Sequence, residues 1–236
     1  MTVKILATQQ ENHIARSFLS QRKISFITLN TSNVLKSWFK RHQINVGDIN
    51  KSWDVLCTVE FIEQNVSKKA NILDIGAYAS EILCILQSLK FKNLVGIDLN
   101  TEVLLMPYSK KIDYQVCDFM QTPFENETFD VITAISVIEH GLDIERLLKE
   151  ISRLLKPGGY FVGSTDYWSE KINTDGIQIF NMDWKIFSAE ELTEFFKMAA
   201  NYNLKLYGDC DLSVQDKAIS CLGKEYTFAW FSLQKI

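Results

Sequence analysis

Three acids lie at or beside the end of an apolar run: Asp74 in Ile72-Leu73-Asp74-Ile75-Gly76, Asp98 closing Leu94-Val95-Gly96-Ile97-Asp98, and Asp118 after Tyr114–Cys117. Continuous apolar runs of this length read as buried strands. Each acid then falls at the carboxyl end of a strand, where open α/β sheets bind their ligands. Gly76 lets the backbone approach a ligand closely. The helix expected behind it would turn unpaired N–H groups toward an anion such as an amino-acid carboxylate. Asp98 stands 22 residues beyond Gly76, near the ~20 expected for a carboxylate that receives a ribose hydroxyl. Asp118 could accept from an adenine amino group while Phe119 covers the ring. Simpler roles compete: a strand-to-helix turn that needed one glycine, and a helix cap at Asp98.

The kind of adenine ligand follows from the loop. A dinucleotide fold wants glycine at 76, 78 and 81 for its pyrophosphate, and the chain has Gly76, Tyr78 and Glu81. A carboxylate beside a pyrophosphate is repulsive, and Tyr78 blocks the close approach a glycine permits. An adenosyl ligand without phosphates meets neither objection.

The elements that must position these residues form a regular series. Ile72–Ile75, Leu94–Ile97, Tyr114–Cys117, Phe129–Ile135 and Tyr160–Gly163 read as strands, with helices over Glu81–Leu89 and Leu142–Leu155. Lys156-Pro157-Gly158-Gly159 ends the second helix, since Pro cannot continue it and Gly turns the chain. Ser188-Ala189-Glu190-Glu191 is a capping box that opens a helix to about Tyr202. Two last strands follow at Leu204–Tyr207 and Tyr226–Leu233; the second is apolar on both faces and belongs inside the sheet. This alternation predicts an α/β fold: a doubly wound, seven-stranded Rossmann-like sheet, mostly parallel, with an antiparallel last strand.

The character of the chain changes near residue 70, which predicts an N-terminal extension over 1–70, serving as a substrate cap, and a ligand-binding domain over 71–236. The extension reads as an apolar run at Val3–Ala7, a helix near Glu11–Ser20, a strand at Ile24–Leu29, and amphipathic pieces near Val34–His42 and Trp53–Asn65. In the last piece Trp53, Leu56, Val59 and Ile62 share one face.

With 47% apolar and 23% charged residues, the 236-residue chain has the composition of a soluble globular domain. The net charge of −4 divides unevenly, +5 over residues 1–55 and −9 over the rest. An acidic main domain repels phosphate backbones, which argues against a nucleic-acid partner. The basic N-terminal part is either a solvated face or an attraction for an anionic substrate. No apolar run approaches the ~18 residues of a membrane span, and the start lacks a signal-peptide pattern; a cytoplasmic location without membrane partners is the expectation. The five cysteines are odd in number and not spaced as a zinc clip or redox pair. With three histidines in total no metal site is expected, and His13 and His42 read as surface residues. The sequence does not set the oligomeric state.

The chain resembles the class I S-adenosylmethionine-dependent methyltransferases, in particular the broad small-molecule group. The likeness runs from about Asn71 to Thr165. It rests on Leu73-Asp74-Ile75-Gly76, Gly96-Ile97-Asp98, Cys117-Asp118, Phe129-Asp130-Val131-Ile132, Ser136-Val137-Ile138-Glu139-His140 and Leu154-Leu155-Lys156-Pro157-Gly158-Gly159. The resemblance implies S-adenosylmethionine as cofactor, its methionine part held around Gly76 by Asp74, Ala77 and Tyr78. It likewise implies ribose binding at Asp98 with Leu99 beside it, adenine contact at Asp118 and Phe119, and Ser136 near the sulfonium. The family loop carries further glycines where this chain has Tyr78 and Ser80, so the loop takes another path or the cofactor binds more weakly.

Methyl transfer is an in-line displacement at a sulfonium, and alignment supplies most of its gain. A hydroxyl acceptor also needs a base, for which His140, Glu139 and Asp166 are the candidates; packing or capping is the alternative role of Glu139-His140. The expected function is methyl transfer to a small polar acceptor, at an oxygen of a sugar or natural-product intermediate, with nitrogen and carbon open. The alternative is a non-catalytic protein of the same fold that binds an adenosyl ligand or a protein partner. Acceptor choice is expected to lie in residues 1–70 and in the aromatic stretch Tyr167–Phe187, whose rings either stack on a ligand or pin the loop down.

Overall fold

The structure is a computed structural model and describes residues 3–27 and 44–236. Its elements are β1 (Lys4–Ile5), α1 (Gln9–Gln21), a 3-10 turn (Ile49–Lys51), α2 (Ser52–Asn65), β2 (Asn71–Ile75), α3 (Ile82–Ser88), β3 (Asn93–Asp98), a 3-10 turn (Thr101–Leu105), β4 (Asp113–Val116), β5 (Phe129–Ile135), α4 (Ile144–Leu154), β6 (Leu155–Tyr167), β7 (Gln178–Ile179), β8 (Met182–Asp183), α5 (Ala189–Asn201), β9 (Leu204–Leu206), β10 (Ile219–Cys221) and β11 (Lys224–Lys235).

The sheet runs β1-β11-β6-β5-β2-β3-β4, with β9 and β10 also paired to β11. From β6 to β4 every pairing is parallel, and β11 lies antiparallel against β6. The doubly wound sheet is therefore as expected, and β11 is interior. The chain reverses its winding at β2, where β3 and β4 go to one side and β5 and β6 to the other. Open α/β sheets bind their ligands above the carboxyl ends at such a point.

Residues 1–70 are less separate than the composition suggests. β1 pairs with β11, Lys4 opposite Trp230, and so adds a strand to the main sheet. α2 lays Val55, Val59 and Ile62 into the core that also holds Ile72, Val131, Val162 and Trp230. α1 is opened by Thr8, whose hydroxyl accepts from Glu11 N–H. Residues 24–27 form no strand; the rest of that expected strand, and the amphipathic piece Val34–His42, lie outside the described residues.

α4 is capped by Asp143, whose carboxylate accepts from Arg146 N–H, and α5 by the expected capping box at Ser188 and Glu191. β6 begins at Leu155, directly after α4, not at Tyr160. The Pro157-Gly158-Gly159 stretch is absorbed as an irregularity in the register between β5 and β6. At that amino end Lys156 pairs with Asp130 at 2.9 Å. Those two motif residues stand at the opposite end of the sheet from the carboxyl ends and stabilise the fold.

No helix among the described residues is long and apolar enough to cross a membrane. The cysteines are free, and no His/Cys/Asp/Glu group among the described residues could hold a metal ion.

Candidate active site

β2 carries Asp74 to its end fully buried. Its Oδ1 accepts from the Thr133 hydroxyl of β5 at 2.6 Å. Burial pushes its carboxyl up to about 7, against the opposing effect of that hydrogen bond. Gly76 follows at φ +73°, and a Cβ there would stand 2.7 Å from Val137 Cγ2. Glycine is thus required twice over, by the left-handed backbone and by the close approach of the β5 loop. The other loop residue in the left-handed region is Ala79, at φ +61°.

Asp98 fastens this loop, since its Oδ2 accepts from Tyr78 N–H at 3.0 Å and its Oδ1 from Asn100 N–H at 2.8 Å. Tyr78 directs its hydroxyl to Glu102 Oε2, 2.8 Å away on the 3-10 turn after β3. The tyrosine of the glycine-poor loop is thus turned toward the neighbouring strand end. Leu99 is exposed beside Asp98. Asp118 accepts from Met120 N–H at 2.9 Å. Phe119 packs in the core with Leu73, Ile75 and Ile97, so its ring backs the strand ends.

α3 starts at Ile82 and spans seven residues, with the buried Glu81 at its N-cap making no side-chain cap hydrogen bond. Glu81 is held by two hydrogen bonds from Arg16 and one from Phe26 N–H.

A second group of polar residues lies at the ends of β5 and β6. Ser136 sits at φ +55°, a sparsely populated conformation for a side-chain-bearing residue. Glu139, on the following turn, is buried, and its carboxyl is pushed up to about 8 by burial, then by Asp166, with Lys51 opposing. Asp166 on β6 accepts from the Trp184 indole N–H at 2.7 Å and from Lys51 Nζ at 3.4 Å. Asp54, at the start of α2, accepts from the Ser164 hydroxyl at 2.8 Å. Burial raises it to about 6, against Lys51. Burial alone lowers the Lys51 ammonium, yet Asp166, Asp54 and Glu139 outweigh it and hold the group above its usual value. Lys51 also lies 3.5 Å from the centre of the Phe228 ring.

His140 stands beside this cluster, with its ring edge-on to Phe180 at 5.7 Å. Burial lowers its pKa, with Asp166 opposing, so the imidazole is neutral at pH 7.

The structure thus gathers Glu139, His140 and Asp166 at one place, and Asp74, Gly76, Ala77, Tyr78, Asp98 and Ser136 along the adjoining strand ends. Sequence reasoning missed Arg16, Lys51, Asp54 and Ser164. A signal existed: Arg16 shares the buried face of α1 with Asn12, Ala15 and Leu19, and Asp54 that of α2 with Val55, Thr58 and Ile62. A charge on an inward face is rare unless paired.

Part of the basic bias of residues 1–55 is consumed internally. Among the described residues, Arg16 pairs with Glu81, Arg22 with Glu63 and Lys51 with Asp166, while Lys4 lies over Trp230. The aromatic stretch is mostly structural as well. Tyr167, Trp184 and Phe187 are buried and only Phe180 is widely exposed.

Six buried side-chain polar atoms lack a hydrogen-bond partner among the described residues. Five of them, Asp74 Oδ2, Ser136 Oγ, Glu139 Oε2, His140 Nδ1 and Thr165 Oγ1, belong to the carboxyl ends of β2, β5 and β6. Such atoms are uncommon in folded proteins and each costs about 1–3 kcal/mol. Their concentration at these strand ends is compatible with the polar groups of an amino-acid and nucleoside ligand.

The fold and these strand ends define a class I methyltransferase architecture. Residues 73–163 match the methyltransferase domain family. It is 30% identical over 105 residues to sterol methyltransferase-like 3 of Botryococcus braunii, covering 41% of this chain and 27% of that one. It is 27% identical over 166 residues to the ubiquinone/menaquinone biosynthesis C-methyltransferase of Rickettsia bellii, covering 65% of each. Its fold superimposes on geranyl diphosphate C-methyltransferase of Streptomyces coelicolor with a TM-score of 0.57 at 14% identity, over 98% of this chain and 99% of that one. The chain spans less than two thirds of the length of either sequence relative.

Proposed function

We propose that the chain transfers a methyl group from S-adenosylmethionine to a small-molecule acceptor seated between β5, β6 and the start of α2. The observation that carries this reading is the row of unpartnered buried polar atoms at the carboxyl ends of β2, β5 and β6. In this reading Asp74 and the backbone around Gly76 hold the amino-acid end, Asp98 and Leu99 the ribose, and Asp118 the adenine edge over the backing of Phe119. Ser136 stands beside the reacting centre. The cofactor, when bound, supplies an electrophilic methyl group on a sulfonium. The chain must then align the nucleophile and receive its proton. Glu139 and Asp166 are the carboxylates placed to do so, with the neutral His140 imidazole next to them.

An oxygen acceptor fits this set of bases best. A carbon acceptor is the second reading, supported by relatives named as C-methyltransferases. No nucleic-acid partner is proposed, and a cytoplasmic location is kept as part of this reading.

Calorimetry with S-adenosylmethionine and S-adenosylhomocysteine tests the first step. A one-to-one complex is expected, weakened in Asp98→Ala by roughly 2–3 kcal/mol through loss of charge-assisted hydrogen bonds. Unchanged affinity removes Asp98 from the site, and absence of binding by the parent protein favours a non-catalytic role.

The loop gives a second, opposed pair of expectations. Tyr78→Gly keeps or improves binding, because the ring is directed at Glu102 and only its backbone N–H meets Asp98. Gly76→Val loses binding, because its side chain meets Val137 and its φ disfavours any Cβ. Thermal melts of both variants separate loss of binding from loss of fold. Equal affinity in the two variants places the ligand elsewhere.

A further inference from the structure

We propose that the methyl acceptor carries a basic amine, held as its ammonium ion by Glu139 within the buried carboxylate cluster of the acceptor site. The proposal rests on the methyl-transfer reading for the presence of an acceptor, and on the geometry of the cluster for its chemistry. Asp54, Glu139 and Asp166 are all buried, and among the described residues one cation, Lys51, stands against the three. Two of the three acids have partners. Asp166 receives Trp184 N–H and Lys51, and Asp54 receives the Ser164 hydroxyl and Val55 N–H. Among the described residues, Glu139 Oε2 makes no hydrogen bond of good geometry and no cation pairs with it directly, the Ser136 hydroxyl being the side-chain donor beside this carboxyl.

A carboxylate buried without a cation costs several kcal/mol, so such a site holds protons until a cation arrives. An acceptor bearing a carboxylate or phosphate would bring a further like charge into the cluster. A neutral hydroxyl could donate to Glu139 but would leave its charge uncompensated. The sulfonium of the cofactor brings charge but has no N–H or O–H to donate. An ammonium brings both.

The cluster also displays how it holds such a group. Lys51 lies with its ammonium over the Phe228 ring at 3.5 Å while donating to Asp166, and aromatic faces beside carboxylates favour cations. The amine is the anchoring group in this proposal, and it can be distinct from the atom that is methylated.

Two measurements on the full chain decide the matter. In the first, thermal stability is followed with n-propylammonium, n-propanol and propionate at equal concentration. Stabilisation is expected from the ammonium alone, and its loss in Glu139→Gln. Equal shifts from all three, or an ammonium shift that survives in Glu139→Gln, overturn the proposal. In the second, methyl-labelled cofactor is incubated with a metabolite extract, untreated or acylated at its amines with acetic anhydride and then treated with hydroxylamine to free esterified hydroxyls. The labelled product is expected to be retained on a cation exchanger at acidic pH. Capping should lower its yield about tenfold or more, the equivalent of one ion pair. A neutral or anionic product made equally well from capped extract also overturns it. Absence of any labelled small molecule defeats the methyl-transfer reading itself, and the propylammonium shift then still decides whether the cluster selects amines.

Discussion

Arg16→Met is expected to destabilise the fold by about 3–5 kcal/mol, because it strands Glu81 as an uncompensated buried carboxylate. Both side chains are almost wholly buried. The guanidinium also donates to Ser52 Oγ and Ser25 Oγ, each at 2.9 Å. One residue of α1 thereby holds together the segment at 25, the start of α2 and the cofactor-side loop. For a chain of this length such a loss lowers the melting temperature by about 6–20 °C. Replacing both partners with apolar residues, Arg16→Met with Glu81→Met, should recover most of it, since the desolvation cost is then removed together with the pair. A single variant that melts like the parent means the pair is hydrated. A double variant as unstable as the single one means Arg16 acts through Ser52 and Ser25.

How far these features were legible in the sequence depended on the range of the contacts. Asp74, Asp98 and Asp118 could be placed because each lies at or next to the end of its own apolar run, and strand ends of a doubly wound sheet converge whatever lies between. The capping box at Ser188 is likewise a local pattern that the structure repeats. β6 starts earlier than its composition suggests, because Leu155 already pairs with Phe129 before the glycines, and the ladder resumes at Tyr160 beyond them. The acceptor side was legible only in part. Glu139, His140 and Asp166 follow strands and could be named. Lys51 reaches Asp166 across 115 residues and Asp54 reaches Ser164 across 110. Nothing local announces such a contact. The sign available was a charged residue on the inward face of an amphipathic helix, which at Arg16 and Asp54 meant a buried partner elsewhere in the chain.

Glu139→Gln is expected to have the largest effect on both turnover and pH dependence. Whether the Glu139 carboxylate receives the proton of the acceptor or pairs with its ammonium, an amide of the same shape does neither. Turnover should fall by ~10²–10⁴ with cofactor affinity nearly unchanged. The parent rate should climb as pH rises through about 8, where this carboxyl ionises. Stability should move the other way. A carboxyl ordinarily titrates near 4.5, and burial with Asp166 nearby raises this one to about 8 in the fold. The folded state therefore keeps a proton that the unfolded chain gives up. Its contribution is fully present below about 4.5 and is lost as pH rises toward 8. Asp54, raised to about 6, and Asp74, raised to about 7, slope in the same direction over narrower windows. Glu139→Gln removes the largest of these slopes, so the variant should melt higher than the parent at pH 9 and close to it at pH 5. Activity and stability then part company in one substitution: a more stable protein at alkaline pH that no longer turns over. Full turnover in the variant transfers the base to Asp166 or His140. A melting profile with the parent's pH dependence means that Glu139 is solvated in the fold, and the carboxylate cluster then loses its selectivity for a cation.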